Sequence, residues 1–142
     1  MQTAKRQDWE TPQALFDELN KEFAFTIDAA ATPDNAKLPR FWTPEKDALA
    51  QEWGGERVWL NPPYGRELAQ WTRKAAESVQ KPGTIVVMLI PARTDTRWFH
   101  EYIYHRAEIR FLRGRLKYEL GGEPQQSATF PSMLAIFRSK EQ

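Results

Sequence analysis

Five consecutive residues carry groups that could hold a planar base bearing an amino group: Asn61-Pro62-Pro63-Tyr64-Gly65. The side-chain oxygen of Asn61 and the carbonyl oxygen of Pro62 can each accept a hydrogen bond from an exocyclic amine. The ring of Tyr64 can stack on the base, and such stacking contributes on the order of 1–3 kcal/mol per base. The residue types therefore predict a binding turn for an amino-bearing base.

The position of this turn in the chain is typical of a ligand site. It follows the apolar run 57–60, which predicts a strand, and a helical pattern begins after it. Two prolines fix φ, remove two backbone donors and keep Asn61 extended, so the strand must end in a rigid turn. Open α/β sheets bind ligands at the carboxyl ends of their strands. Because Asn-Pro and Pro-Pro pairs also mark ordinary loops, a purely structural turn is the alternative.

Length, composition and charge limit the function classes. The chain has 142 residues, 41% of them hydrophobic, and no cysteine. This predicts one domain over 1–142 with a hydrophobic core and without disulfides or thiolate metal sites. The net charge is only +1, although basic residues outnumber acidic ones between positions 93 and 117. The two histidines do not share a helix face, and no apolar run approaches the ~20 residues of a membrane span. We therefore expect a soluble cytoplasmic protein without a metal or a membrane partner.

The elements that must position the turn follow an α/β pattern. Residues 1–8 are polar and are expected to form a loose tail. An amphipathic helix is predicted over 12–23, with Thr11 as its N-cap and Pro12 at its first position. Further helices are predicted at 67–80 and from residue 94 or 95 to 105, and strands at 25–27, 57–60, 84–90, 107–118 (with a bulge near Gly114) and 132–137. Residues 57–90 would form a strand-helix-strand crossover, residues 121–131 a loop, and the last strand would return antiparallel.

The turn also resembles a catalytic motif. Asn-Pro-Pro-Tyr after an apolar strand is similar to the motif of the amino-methyltransferases, which methylate amines of adenine or cytosine, or a glutamine amide, using S-adenosylmethionine. More specifically, stretches along nearly the whole chain resemble the small phage-type DNA adenine methyltransferases. They are Trp9-x-Thr11-Pro12, 25–31, 35–37, 47–49, 58–65, 89–100, 109–116 and 131–134.

The resemblance implies a fold and an activity. The fold would be α/β, an abbreviated Rossmann-like methyltransferase fold with a mostly parallel sheet and an antiparallel C-terminal strand. The activity would be methyl transfer from S-adenosylmethionine to adenine N6 of a base flipped out of double-stranded DNA. Such enzymes are encoded by phages or prophages and act in the bacterial cytoplasm, some in restriction–modification. A homodimer is one arrangement by which a chain this small could grip DNA.

The resemblance also implies roles for individual residues. The catalytic turn would comprise Asn61, Pro62, Pro63 and Tyr64. Cofactor contacts would come from Trp9, Thr11, Pro12, Asp28, Ala29, Ala30, Asn35 and Asp47. DNA contacts would come from Arg66, Arg93, Arg97, Arg113, Arg115 and Lys117, since cationic side chains supply phosphate affinity.

Two features of the sequence keep alternatives open. The segment from Asp28 to Asn61 is too short for the two strand–helix units of a complete dinucleotide-type half, because each needs ~30 residues, and the usual Gly-x-Gly is absent. The chain could therefore be a degenerate nucleic-acid-binding module, or it could act on cytosine, RNA adenine or a protein glutamine. Asp28 and Asp47 are also common turn and cap residues, and Arg93 and Arg97 could pair with neighbouring acidic residues.

Overall fold

The computed structural model describes residues 9–140. Seven strands are present in this part: β1 (Ile27–Asp28), β2 (Arg57–Leu60), β3 (Ile85–Pro91), β4 (Glu108–Phe111), β5 (Glu119–Leu120), β6 (Glu123–Pro124) and β7 (Ser132–Arg138). Its α-helices are α1 (Gln13–Phe23) and α2 (Leu68–Ser78), with a 3-10 turn at Ala48–Ala50 and a π-helical turn at Phe99–Ile103. The tail predicted over 1–8 lies outside the described residues.

Five of the strands form one sheet, in the order β1-β2-β3-β7-β4, and β5 and β6 form a separate hairpin. β1 pairs parallel with β2, and β2 pairs parallel with β3. β7 lies antiparallel between β3 and β4, so β4 again runs in the direction of β3. The predicted α/β class, the mostly parallel direction of the sheet and its antiparallel last strand are confirmed. β3 is buried along its whole length, which explains its unbroken apolar sequence.

α1 packs its apolar stripe onto the start of the sheet. Phe16, Leu19 and Phe23 recur at helical spacing and are buried. Phe16 stacks on Phe25, with ring centroids 5.8 Å apart, and meets Trp59 of β2 edge to face at 5.5 Å. This aromatic cluster fixes α1 against β2, so that the residues just before α1 lie at the carboxyl end of that strand.

The predicted helix starts need correction. Pro12, not Thr11, occupies the N-cap position of α1, and the helix has no side-chain cap. The Thr11 hydroxyl instead faces the end of β2. In the helix predicted from residue 94 or 95, only 97–98 are α-helical before the π-helical turn begins. The Thr96 hydroxyl, rather than a group of residue 94 or 95, accepts the Phe99 N–H at 3.3 Å.

The strand predicted over 107–118 ends at Phe111. Gly114 has a φ of 76°, which interrupts an extended chain. Residues 112–118 run beside 125–128, where the Ala128 N–H donates to the Leu116 carbonyl at 2.8 Å. The hairpin β5–β6 begins directly after the predicted strand, and β6 lies within residues 121–131, the predicted loop. The expected bulge is therefore a break in the strand.

The link between β1 and β2 is short, as predicted. Residues 29–56, all within the described part, contain the 3-10 turn and one isolated bridge, in which Phe41 pairs with Asp28. No strand is inserted between β1 and β2, which pair directly through Ile27 with Val58 and Asp28 with Trp59. The carboxyl ends of β1 and β2 are consequently neighbours at one edge of the sheet. Within residues 9–140, no helix is both long and apolar enough to cross a membrane.

Candidate active site

A cavity of about 530 Å³ lies at the carboxyl ends of β1 and β2. Its wall is built from the residues before α1, the end of β1, the segment 42–49, the turn after β2 and the start of α2. Cavities of 300–1,000 Å³ with a few polar groups on a mostly apolar wall are typical of small-molecule sites. The cavity is therefore the candidate site for a cofactor-sized ligand.

Most of the residues predicted to contact a cofactor line this cavity. They are Trp9, Thr11, Asp28, Ala29, Ala30, Asn35 and Asp47. Pro12 is not among the lining residues. Of the motif, Asn61 and Pro63 line the cavity, whereas Pro62 and Tyr64 do not. The structure thus brings the predicted cofactor residues and part of the motif together, while their roles stay a prediction.

The side-chain amide of Asn61 is oriented by the residues that precede α1. Its Nδ2 donates to the Trp9 carbonyl oxygen at 2.6 Å and to Thr11 Oγ1 at 3.1 Å. A carbonyl oxygen can only accept, so the atom facing Trp9 must be the nitrogen, and Oδ1 must point the other way. Within residues 9–140, Oδ1 is a buried oxygen without a hydrogen-bond partner. An unpaired buried acceptor costs about 1–3 kcal/mol, and a donor on a ligand would recover that cost.

Trp71 carries the second buried side-chain polar atom that lacks a partner in the described part of the chain, Nε1. Trp71 also lines the cavity. It continues a row of indole rings, with centroid distances of 6.4 Å from Trp71 to Trp53 and 6.3 Å from Trp53 to Trp42. The two residues that carry an unpaired buried acceptor and an unpaired buried donor therefore line the same cavity, which favours a ligand that supplies the missing partners.

Sequence reasoning does not identify Trp71 and Trp42 as site residues. Trp71 matches the apolar stripe of α2, and Trp42 is compatible with a short strand or an aromatic plug. The high number of tryptophans, six in 142 residues, is the available signal. Periodicity cannot separate a core residue from one that borders a cavity, because both face inward.

Asp28 places a buried carboxylate in the cavity wall. Burial raises its pKa to about 6, while the backbone N–H groups of Lys37, at 2.9 Å, and Ala30, at 3.4 Å, lower that pKa in part. The Lys37 ammonium donates to the Gln13 side chain at 2.9 Å and forms no ion pair with Asp28, although its positive charge also lowers the Asp28 pKa. The carboxylate is therefore buried without an ion pair to a described residue, and its ionised form would attract a positively charged ligand group.

Asn35 and Asp47 differ in how their side chains are used. Asn35 Oδ1 accepts the Thr32 N–H at 2.8 Å and so closes a turn on the cavity rim. Asp47 occupies the N-cap position of the 3-10 turn, yet its side chain makes no capping hydrogen bond. Its φ of 59° is uncommon outside glycine. A capping role for the Asp47 carboxylate is thus wrong, and a strained residue beside a cavity is a functional candidate.

Tyr64 is packed into the protein beside the cavity. Its hydroxyl donates to the Leu89 carbonyl oxygen at 3.0 Å and lies 3.1 Å from the Tyr118 hydroxyl, which lies 3.0 Å from Ser132 Oγ. The Tyr64 ring meets the Phe130 ring edge to face at 5.8 Å. Burial raises the pKa of Tyr64 well above its usual value, so the hydroxyl stays neutral. With 9% exposure, the ring could stack on a base only after neighbouring side chains move.

The cations predicted to contact DNA are all exposed. Each follows the carboxyl end of a parallel strand: Arg66 after β2, Arg93 and Arg97 after β3, and Arg113, Arg115 and Lys117 after β4. They therefore lie at the same edge of the sheet as the cavity. In the part of the chain that the structure describes, none of them forms an ion pair, so the alternative pairing of Arg93 or Arg97 with a neighbouring acidic residue is not present. Arg93 instead lies over the Phe130 ring at 5.9 Å.

Metal ligands are not clustered in the described residues. No group of three or more His, Asp or Glu side chains there could hold an ion. The polar chemistry of the cavity wall rests on carboxylate, amide and indole side chains.

Comparison with known proteins identifies relatives along the chain. Residues 1–142 match the family described as DNA N-6-adenine-methyltransferase (Dam). Over 121 residues, 84% of this chain, the sequence is 34% identical to the DNA N-6-adenine-methyltransferase of Escherichia phage T1, and the match covers 50% of that protein. Over 63 residues it is 36% identical to YfdM of Escherichia coli strain K12, a proposed methyltransferase, with 39% of this chain and 69% of that protein covered. The chain thus spans about half the length of its phage relative.

Proposed function

The chain belongs to the DNA N-6-adenine-methyltransferase (Dam) family, and from this premise we propose that it transfers a methyl group from S-adenosylmethionine to adenine N6 in double-stranded DNA. The observation that carries the proposal is the Asn61 amide, whose nitrogen is held by the Trp9 carbonyl and the Thr11 hydroxyl while its buried oxygen is left without a partner. An oxygen fixed in this way is suited to accept a hydrogen bond from an exocyclic amine.

The residues of the cavity fit S-adenosylmethionine. The Asp28 carboxylate, which forms no ion pair with a described residue, would hold the positively charged amino group of its methionine part. Asp47 would accept from the ribose hydroxyls, and the indole N–H of Trp71 would donate to an acceptor on the cofactor. Trp42 and the small residues Ala29 and Ala30 would contact its apolar surfaces. When bound, the cofactor supplies a methyl group that its sulfonium has already activated.

The motif would prepare the adenine amine for attack. This nitrogen is a poor nucleophile because its lone pair is conjugated into the ring. Asn61 Oδ1 and the Pro62 carbonyl would each accept one of its hydrogens, which favours a pyramidal nitrogen with a free lone pair. The Pro62 carbonyl is available, since it accepts no hydrogen bond from a described residue. Catalysis would then consist of positioning and electrostatics, and no strong base is needed to remove a proton from the acidic product ammonium.

The base must leave the duplex to reach the cavity. Flipping costs a few kcal/mol of lost stacking and pairing. Tyr64 would offset part of that cost by stacking, after movement of the side chains that now cover it. The exposed cations at the same edge of the sheet would bind the phosphates on either side of the flipped base.

The remaining expectations follow from the family. We propose an abbreviated Rossmann-like methyltransferase fold as one domain over 1–142, supported by the direct parallel pairing of β1, β2 and β3. A phage or prophage gene is supported by the phage T1 relative, and the bacterial cytoplasm is where its DNA substrate would be found. The proposal also includes binding of the DNA duplex by a homodimer of this chain.

Calorimetric titration with S-adenosylmethionine, followed by transfer of labelled methyl to a panel of acceptors, tests the proposal. The panel contains unmethylated duplex DNA, RNA and bacterial protein. We expect cofactor binding and label in the DNA. Label in RNA or protein alone would show that the acceptor is not DNA. Absence of both cofactor binding and methyl transfer would favour a non-catalytic nucleic-acid-binding module.

A further inference from the structure

We infer that Thr11 is a positioning residue, whose hydroxyl oxygen fixes the plane of the Asn61 amide so that Oδ1 faces the reacting amine. This inference rests on the proposed function of Asn61. It differs from the sequence-based expectation for Thr11, which is a contact with the cofactor and a cap on α1.

Two acceptors are needed to fix an amide plane. The Trp9 carbonyl, 2.6 Å from Nδ2, prevents a flip of the amide, because a flipped amide would press Oδ1 against another acceptor oxygen. A single hydrogen bond still allows the amide to pivot about that contact. Thr11 Oγ1, 3.1 Å from the same nitrogen, takes the second hydrogen and removes this freedom. Together the two acceptors determine where Oδ1 points.

The start of α1 leaves the Thr11 hydroxyl available to accept a hydrogen bond from Asn61. A threonine just before a helix usually caps it through its side-chain oxygen. Here the N-cap position belongs to Pro12, and α1 has no side-chain cap. Thr11 is nevertheless 1% exposed, so its hydroxyl must find partners inside the protein. Its contact with Asn61 joins residues 50 positions apart in the chain.

The segment that carries both acceptors is itself anchored. Between Trp9 and Thr11, the Glu10 N–H donates to the Glu119 carbonyl at 3.1 Å, and the Glu119 N–H donates to the Glu10 carbonyl at 2.9 Å. This pair of hydrogen bonds fastens the segment to β5. The Asn61 amide is therefore held against a supported backbone rather than against a free loop, as precise positioning requires.

Two variants of Thr11 separate positioning from other roles. Thr11→Val keeps the shape of the side chain and removes the acceptor, whereas Thr11→Ser keeps the acceptor. We expect Thr11→Val to lower kcat about tenfold, the rate effect of one lost hydrogen bond. Its dissociation constant for S-adenosylmethionine should stay close to that of the wild type, and its Tm should fall only by the amount expected for one lost part-buried hydrogen bond. Thr11→Ser should restore kcat to within about threefold of the wild type.

The outcomes distinguish failure of this inference from failure of the proposed function. If the wild type does not methylate DNA, the proposed function fails first. If the wild type is active, Asn61→Ala is inactive and Thr11→Val matches the wild type, the positioning role is wrong and the function stands. Weaker cofactor binding by Thr11→Val at unchanged kcat would also overturn the positioning role, because it would make Thr11 a cofactor contact.

A measurement on the wild type does not depend on whether Thr11→Val folds. The side-chain N–H₂ signal of Asn61 can be identified by NMR from its loss in Asn61→Ala. We expect both hydrogens to exchange slowly with solvent, since each has an acceptor inside the protein. Rapid exchange, as for an exposed asparagine, would contradict the inference.

Discussion

Two polar side chains of the cavity wall, half-buried Asn61 and buried Asp28, stand out at the level of single residues. Asn61 offers an unpaired acceptor, and Asp28 offers a buried carboxylate that forms no ion pair with a described residue. Both arrangements are unfavourable for the protein alone, because a buried acceptor without a donor and a desolvated carboxylate without an ion pair each cost free energy. They become favourable when an amine and an ammonium group supply the missing partners, which is what the proposed substrate and cofactor contain.

The first prediction at this scale concerns Asn61. Asn61→Ala should lower methyl transfer to DNA by about 100-fold or more, the loss seen when one preorganised polar group is removed from a transition state. The free energy of unfolding should change little, because an unpaired buried oxygen is removed along with two hydrogen bonds. Turnover is measured with labelled cofactor and stability by urea denaturation. Full activity in the variant would refute the assignment of the motif.

The second prediction concerns pH and Asp28. The pKa of this carboxyl is raised from 3.8 to about 6 in the folded protein, so the folded state binds its proton more tightly than the unfolded state. The contribution of Asp28 to the free energy of unfolding should therefore decrease as pH rises from about 4 to above 6. Asp28→Asn should lack this decrease. Urea denaturation of both proteins at several pH values measures the difference.

The raised pKa of Asp28 also predicts how cofactor binding depends on pH. An ammonium group favours the ionised carboxylate, so affinity for S-adenosylmethionine should fall as pH drops below about 6. Asp28→Asn should bind weakly at every pH in this range. Equal pH profiles for the two proteins would show that Asp28 does not hold the cofactor.

The placement of Asn61 and Asp28 beside a cavity could be predicted because the signal is local. Four residues after a strand are enough to suggest Asn61, and a carboxylate at the end of a short strand suggests Asp28. The partners of Asn61 could not be predicted in the same way. Thr11 lies 50 positions before Asn61, and its sequence context indicates a helix cap rather than an amide acceptor.

At the level of elements, a chain of hydroxyl groups connects the motif to the sheet. The Tyr64 hydroxyl bonds to the Leu89 carbonyl of β3 and to Tyr118, which in turn bonds to Ser132 at the start of β7. All three side chains are buried. These bonds hold the turn after β2 against the two central strands, so that the motif keeps its place at the edge of the sheet.

This connection predicts a loss of stability for Tyr118→Phe. The variant keeps the ring contacts and removes the hydroxyl that lies between Tyr64 and Ser132. We expect the free energy of unfolding to fall by about 1–3 kcal/mol, because buried hydroxyls lose a partner. Tyr104→Phe is the matched control, since Tyr104 is 48% exposed, and it should change stability by less than about 0.5 kcal/mol. Equal effects of the two variants in urea denaturation would contradict the account.

The elements with strong periodicity could be predicted, and those set by distant contacts could not. The stripe of α1 and the unbroken apolar run of β3 each indicate their element without reference to the rest of the chain. Residues 112–118 have a strand-like sequence, but Gly114 adopts a positive φ and the segment pairs irregularly with 125–128. Tyr118, at the end of this segment, is buried in the core, a position that no local pattern reveals.

At the level of the whole molecule, unpaired cations gather at one edge of the sheet. The net charge is only +1, so attraction to DNA would come from where the charges lie rather than from their sum. The cavity opens at this same edge, where Arg113, Arg115 and Lys117 follow β4. The opposite edge carries Lys21 before β1, Lys81 before β3 and Lys140 after β7.

Charge removal at the two edges should therefore have different effects. Replacement of Arg113, Arg115 and Lys117 by Gln should weaken binding to duplex DNA. It should also lower the slope of log affinity against log salt by about 0.9 for each phosphate that is no longer neutralised. The same replacement of Lys21, Lys81 and Lys140 removes equal charge and should leave both quantities nearly unchanged. Equal weakening by the two triple variants would show that DNA binding is not confined to the cavity edge.

The most direct measurement is the identity of the methylated product. Unmethylated duplex DNA is incubated with the wild-type protein and S-adenosylmethionine, digested to nucleosides and analysed by mass spectrometry, with Asn61→Ala as the inactive control. The account predicts N6-methyldeoxyadenosine from the wild type and almost none from the variant. Methylcytosine, or no methylated nucleoside from a wild-type protein that binds the cofactor, would contradict it.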